Sequence, residues 1–190
     1  METTKIFFDT EFTGLHQEST LISIGLVSED NRTFYAEFTD YDKKQVDEWI
    51  NLNVISNLLL TNYQEKDYDP YGKHIKVKGD TEIIEKALTR WFRSFGDVEM
   101  WGDCLSYDWV LFNQIWGHAF NIPKNIYYIP FDICILFKIK GIDVDITREE
   151  FIGESTIVNS IRKNFKNLVK HNALWDAYII KECYNKVIKI

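Results

Sequence analysis

The sequence has few cysteines, no long hydrophobic run and no excess of positive charge. Its 190 residues include only Cys104, Cys134 and Cys183, and without a C-x-x-C pair they do not suggest a zinc knuckle or a redox site. The apolar stretches at 54–60 and 126–137 are too short or too interrupted to span a bilayer, and the first residues lack a basic segment followed by an apolar one. We therefore expect reduced thiols and a cytoplasmic protein with no membrane partner.

The net charge of −7 argues against a protein that holds nucleic acid mainly through a bulk positive field. It does not exclude a nuclease, because a site rich in carboxylates contributes to this negative sum until divalent cations bind there. A content of 45% hydrophobic and 15% aromatic residues excludes a disordered chain. At this length we expect one globular domain over residues 1–190.

Hydrophobic patterns along the chain predict an α/β domain with a mixed sheet flanked by helices. The first part contains three strands with a tight turn at 29–32, and later strands alternate with helices. The predicted strands are 5–11, 21–28, 33–39, 98–102 and 126–131. The predicted helices are 43–60, one from residue 81 that stops at Gly96, 107–120 after a Ser106 cap, a short one after 131, and a last one capped by Asn172. Residues 61–80 are predicted to form a long loop.

Two carboxylates stand at the end of the first predicted strand, in "KIFFDTEFTGL" at residues 5–15. Because side chains alternate between the faces of a strand, Asp9 and Glu11 share one face with Phe7. On a central strand these carboxylates would be costly to desolvate unless a cation neutralised them, and hard divalent ions with oxygen ligands meet that need. At a solvated strand end, the same D-x-E pair would need no ion.

A third carboxylate, Asp108, lies in "WGDCLSYDWVLF". It falls in the first turn of a helix that starts at the carboxyl end of a predicted strand, whereas its rival Asp103 lies in the preceding loop. We therefore prefer Asp108 as a ligand candidate, although the helix dipole favours an acidic residue at that place in any protein.

The last candidates are His171 and Asp176 in "HNALWDAYII". On a continuous helix, residues five apart would point roughly 140° away from each other. The two can share a site only if Asn172 caps the helix and His171 lies before it. A surface histidine and a first-turn aspartate would be the alternative.

Together these residues form a set with a chemical logic. Two Mg²⁺ or Mn²⁺ ions held by carboxylates can clamp a phosphodiester, and a histidine of near-neutral pKa can accept the proton of the attacking water. The order D-x-E, D, H-x4-D resembles the DEDDh family of 3′-5′ exonucleases, which share a ribonuclease-H-like fold, and it covers nearly the whole chain. The set consists of Asp9, Glu11, Asp108, His171 and Asp176.

The resemblance implies that the four carboxylates bind two divalent cations and that His171 is the general base. It also implies that the stretch after the acidic pair receives the terminal nucleotide of a single-stranded 3′ end; this stretch is Phe12, Thr13, Gly14 and Leu15. The segments "FFDTEF", "YDWVLFNQIWG" and "HNALWDA" are most similar to a small bacterial and phage group of 3′-5′ exoribonucleases, which favours RNA over DNA. A homodimer is a further expectation from the family.

Three other functions remain as alternatives. A phosphatase of the haloacid dehalogenase type would need D-x-D where this chain has Glu11. A binding protein on the same fold would not need the complete set, and a DNA exonuclease would use it equally well. Basic segments at 73–78 and 162–170 could follow a phosphate backbone or be a solvated surface, and 73–78 alternates basic and apolar residues as an exposed strand would. Asp132 is a candidate helix cap or supporting residue.

Overall fold

The computed structural model describes residues 3–153, 159–161 and 168–190. A six-stranded mixed sheet with strand order β4-β3-β2-β1-β5-β6 forms its centre. The strands are β1 (Thr4–Phe12), β2 (Leu21–Ser28), β3 (Thr33–Phe38), β4 (His74–Gly79), β5 (Val98–Gly102) and β6 (Phe131–Asp132). The helices named here are α1 (Glu48–Asn53), α2 (Thr81–Phe92), α3 (Asp108–Gln114), α4 (Ile133–Ile139), α5 (Arg148–Ile152) and α6 (Ala173–Val187). The α/β class with a mixed sheet is confirmed.

Strand β1 lies inside the sheet, antiparallel to β2 and parallel to β5. Its side chains alternate as predicted: Ile6 and Phe8 pack into the core layer that contains α2 and α3, whereas Phe7 packs into the layer that contains α6. Asp9 and Glu11 continue the face of Phe7, so they are directed to the α6 side of the sheet.

The predicted helix at 43–60 and the predicted loop at 61–80 are both wrong in extent. Only Glu48–Asn53 is α-helical, between two single 3₁₀ turns, and Asp47 caps it by accepting a hydrogen bond from Ile50 N at 2.7 Å. The β-branched pair Val54 and Ile55 follows, which disfavours a longer helix. The supposed loop contains β4, an edge strand that pairs in parallel with β3.

Two later boundaries also differ from the sequence prediction. Helix α3 begins at Asp108 without a Ser106 cap and ends at Gln114, because Gly117 adopts a left-handed φ of 72° shortly afterwards. The strand predicted at 126–131 is reduced to β6 and one isolated bridge at Ile126. Pro130 has no N–H to offer to a longer strand.

Of the predicted basic segments, 73–78 overlaps β4, whereas residues 162–167 lie outside the described residues. Among the residues that the structure describes, no helix combines the length and the apolar character needed to cross a bilayer.

Candidate active site

The predicted residues meet in one cleft of about 1230 Å³ at the carboxyl end of β1. Three parts of the fold supply them: β1 carries the D-x-E pair, α3 begins with the third aspartate, and the start of α6 brings the last two. We call this the acidic cleft, and it is defined by Asp9, Glu11, Asp108, His171 and Asp176.

Thr10 joins the start of α3 to β1. Its backbone N–H and its hydroxyl both donate to Asp108 Oδ1, at 3.0 and 2.6 Å. The side chain of Thr10 points to the opposite face from Asp9 and Glu11, where α3 packs. Asp108 is thereby fixed at the strand end although its helix lies on the other side of the sheet from α6.

Gly25 allows the start of α6 to pack close to the carboxyl end of β1. It lies opposite Asp9 in the β1–β2 ladder, and a Cβ at this position would stand 2.3 Å from the backbone carbon of Ala173. Only a residue without a side chain lets the first turn of α6 lie directly on β2. The sequence carries this signal as an isolated glycine within a strand pattern, which marks a close backbone approach.

The predicted cap of α6 is confirmed. Asn172 Oδ1 accepts from the N–H groups of Leu174 and Trp175 at 3.2 and 3.4 Å. His171 lies before the helix with a left-handed φ of 62°, and its N–H donates to Asp176 Oδ2 at 2.9 Å. The two residues therefore share one cleft despite their spacing of five.

The carboxylates of the acidic cleft are electrostatically unfavourable without a cation. Burial, and then the charges of Asp176 and the other carboxylates, raise the pKa of Asp9 well above its usual range. The same causes raise the pKa of Glu11 to about 8. Burial and the nearby Glu149 raise the pKa of Asp176 to about 7. Four carboxylates that resist ionisation in one cleft fit a site for divalent cations.

Asp108 accepts two hydrogen bonds, both from Thr10. Burial raises its pKa to about 6, while the two hydrogen bonds from Thr10 act in the opposite direction. Glu11, His171 and Asp176 each place one ligand atom within 4.8 Å of the others, so they are close enough to share an ion. The ligand atoms available for a metal are carboxylate oxygens and one imidazole nitrogen, which suit Mg²⁺ or Mn²⁺.

His171 is partly buried beside these carboxylates. Burial and the adjacent Lys170 lower its pKa, so the imidazole is neutral at pH 7 and can accept a proton. The ring of Trp49 meets the ring of His171 edge to face, with centroids 5.1 Å apart. Trp49 lines the cleft and is 54% exposed. Its place could not be read from the sequence, because only tertiary packing brings α1 beside residue 171.

The residues after the acidic pair divide into two groups. Phe12, Gly14 and Leu15 line the cleft, with Phe12 stacked on Tyr107 at 5.7 Å and Leu15 76% exposed. Thr13 is not part of this lining: it is 2% exposed, and its hydroxyl hydrogen-bonds Thr20 and Gln45. It supports the loop that presents its neighbours.

The rival residue Asp103 already has a cationic partner. Arg148 Nε and Nη2 donate to its two oxygens at 2.6 and 2.8 Å. Asp132 caps α4 by accepting from Cys134 N at 2.8 Å, which agrees with the helix-cap alternative. Asp103, Asp132 and Cys134 lie close enough to hold a metal, but Arg148 already balances the charge of Asp103.

A family model for the 3′-5′ exoribonuclease Rv2179c-like domain matches residues 4–188. The chain belongs to this family. Membership confirms the predicted exonuclease family and the prediction of a 3′-5′ exoribonuclease. Two 3′-5′ exoribonucleases of Mycobacterium tuberculosis, Rv2179c and MT2234.1, are each 28% identical over 124 residues, which are 64% of this chain and 67% of each relative.

The fold is also found in a solved structure. Cell-death related nuclease 4 (CRN-4) superposes with a TM-score of 0.60 at 11% identity, over 98% of this chain and 64% of that chain. At this identity the likeness concerns the fold alone, and it confirms the ribonuclease-H-like architecture.

Proposed function

We propose that this chain removes nucleotides one at a time from the 3′ end of single-stranded RNA, with divalent cations bound in the acidic cleft. The convergence of one buried carboxylate, three partly buried carboxylates and one histidine in a single cleft is the observation that carries the proposal. The relatives in Mycobacterium tuberculosis, which are named 3′-5′ exoribonucleases, support RNA as the substrate.

The cation ligands in this proposal are Asp9, Glu11, Asp108 and Asp176, all with pKa values raised by burial. Two bound Mg²⁺ or Mn²⁺ ions would supply Lewis acidity toward the phosphate and the attacking water. The carboxylates remain ionised when positive charge is present, because it offsets their mutual repulsion. Thr10 holds Asp108 in place through two hydrogen bonds.

His171 acts as the general base. Its lowered pKa keeps the imidazole neutral at physiological pH, so that a nitrogen lone pair is free to take the proton of the attacking water. The ring of Trp49 packs edge to face with the ring of His171. Lys170 and Lys138 also line the cleft and can contact phosphate oxygens of the substrate.

The apolar wall of the cleft receives the terminal nucleotide. Phe12, Gly14 and Leu15 supply this wall, and the stack of Phe12 on Tyr107 gives a flat aromatic surface beside the carboxylates. Bases stack on such surfaces with little regard to their identity, which suits an exonuclease that must accept any sequence. A homodimer, a cytoplasmic location and a single domain over residues 1–190 remain predictions.

Digestion of matched single strands tests the proposal. RNA and DNA of the same sequence, labelled at the 5′ end, are incubated with Mg²⁺, with Mn²⁺ and with a chelator. We expect a ladder that shortens from the 3′ end, is stronger on RNA and disappears with the chelator and in Asp9→Asn. A stronger ladder on DNA would show that DNA is the preferred substrate. A ladder that persists in Asp9→Asn would show that the acidic cleft is not the active site.

A further inference from the structure

A network of buried polar groups supports the backbone around His171. The residue has a left-handed φ of 62°, which a non-glycine residue adopts only when its surroundings impose it. The next residue, Asn172, is 1% exposed and uses both ends of its side chain. Its oxygen caps α6, and its amide donates to the Asn57 carbonyl at 2.8 Å and to the Tyr35 hydroxyl at 3.3 Å.

A second layer orients Tyr35. Its hydroxyl donates to Glu37 Oε1 at 3.0 Å, and burial raises the pKa of Tyr35 so that this proton is retained. Glu37 is 1% exposed and accepts from Leu60 N at 2.7 Å and from Lys78 Nζ at 3.0 Å. The buried charge is thus fully paired, and the Tyr35 oxygen is left to accept the Asn172 amide.

The same region is tied to the segment after α1. Asn57 Nδ2 donates to the Lys170 carbonyl at 3.1 Å, while Asn57 itself accepts from Asn172. These reciprocal bonds join residues 170–172 to the 3₁₀ turn at Ile55–Asn57. That turn continues from α1, which carries Trp49 to the ring of His171. The segment from α1 to Asn57 therefore contacts the ring of His171 and both of its neighbours in the chain.

We propose that Asn172 is a positioning residue for His171, with Tyr35 orienting its amide. The inference rests on the proposed function, because positioning matters for rate only if His171 accepts the proton. Without the amide bonds to Asn57 and Tyr35, the left-handed conformation of His171 depends on the bond from its N–H to Asp176 and on the bond from Asn57 to the Lys170 carbonyl, and the backbone can relax. Its imidazole then loses the alignment on which proton transfer depends.

Two variants remove these bonds with little other change. Asn172→Ser keeps an oxygen that caps α6 and loses the amide, and Tyr35→Phe removes only the hydroxyl. We expect each to lower kcat about tenfold while KM and Mn²⁺ affinity stay unchanged. In a His171→Ala background we expect neither substitution to lower the remaining rate further, because the group that they position is gone.

Lys181→Met provides the matched control. Lys181 is buried on α6, and its Nζ donates to the carbonyls of Ser28 and Glu29 at 2.8 and 3.0 Å, away from the acidic cleft. This variant should lower Tm but leave kcat unchanged, which separates lost stability from lost alignment.

The outcomes distinguish the inference from the proposed function. Losses of equal size in the wild-type and in the His171→Ala background would show that Asn172 and Tyr35 act through general stability, and would overturn the inference. The same follows if Asn172→Ser keeps full activity while His171→Ala is impaired. Full activity of His171→Ala would instead overturn the role of His171 in the proposed function, and the inference with it.

Discussion

Gly25 and Ala173 lie in backbone contact, since a Cβ built on Gly25 would stand 2.3 Å from the Ala173 carbonyl carbon. This contact sets the distance between β2 and the start of α6. Because Gly25 is the ladder partner of Asp9, it also sets how near His171 and Asp176 come to the β1 carboxylates.

The first prediction concerns this contact. Gly25→Ala should destabilise the protein by about 1–3 kcal/mol through overpacking and should also reduce activity strongly, because backbone atoms have to move. Thermal unfolding and RNA digestion would measure both effects. Gly96→Ala is the matched control, since a Cβ there meets nothing within 4 Å. Equal behaviour of the two variants would contradict the importance of the contact.

The second prediction is a pH dependence of stability in the absence of metal. The folded-state pKa values of Asp108, Asp176 and Glu11 are raised to about 6, 7 and 8. Folding therefore favours proton uptake, and the stability that these groups contribute is present at acid pH and lost as pH rises through these values.

Tm measured in chelator should therefore contain a falling component between about pH 4 and pH 8 that Mn²⁺ removes. Asp9→Asn should weaken this component, because it removes one of the repelling charges. A pH profile that is unchanged by both Mn²⁺ and Asp9→Asn would mean that the carboxylates do not repel one another in the folded protein.

The third prediction concerns Thr10. Thr10→Val removes the hydroxyl bond to Asp108 at 2.6 Å but leaves the backbone bond at 3.0 Å. Loss of a supporting bond to a ligand costs about 10–100-fold in metal affinity, so we expect a higher Mn²⁺ requirement with little change in fold. Thr89→Val on α2, which breaks a hydrogen bond from Trp116, should leave this requirement unchanged.

Sequence reasoning reached the acidic cleft because its residues obey local rules. The alternation of β1 assigned Asp9 and Glu11 to one face, and the spacing of His171 and Asp176 required the Asn172 cap that the structure contains. Each inference needed only neighbouring residues, and for that reason it agreed with the structure.

Features that depend on distant contacts were not predictable in this way. The ion pair of Asp103 and Arg148 joins residues 45 positions apart, and Trp49 reaches His171 only through tertiary packing. Residues 73–78 alternate as an exposed strand would, but they were assigned to the loop at 61–80 because the pairing of β4 with β3 comes from a remote part of the chain. The prediction of one helix at 43–60 was wrong because apolar residues in successive short helical turns give the same periodicity as one continuous helix.

The fourth prediction separates a general base from a metal ligand at His171. As a base, His171→Ala should lower kcat about 100-fold or more and leave Mn²⁺ affinity unchanged. Its ring, however, lies within 4.8 Å of ligand oxygens from Glu11 and Asp176. Mn²⁺ titration of His171→Ala and of Asp176→Asn, beside digestion of labelled RNA, decides between the roles. If both variants lose affinity equally, His171 is a ligand, and another group must accept the proton.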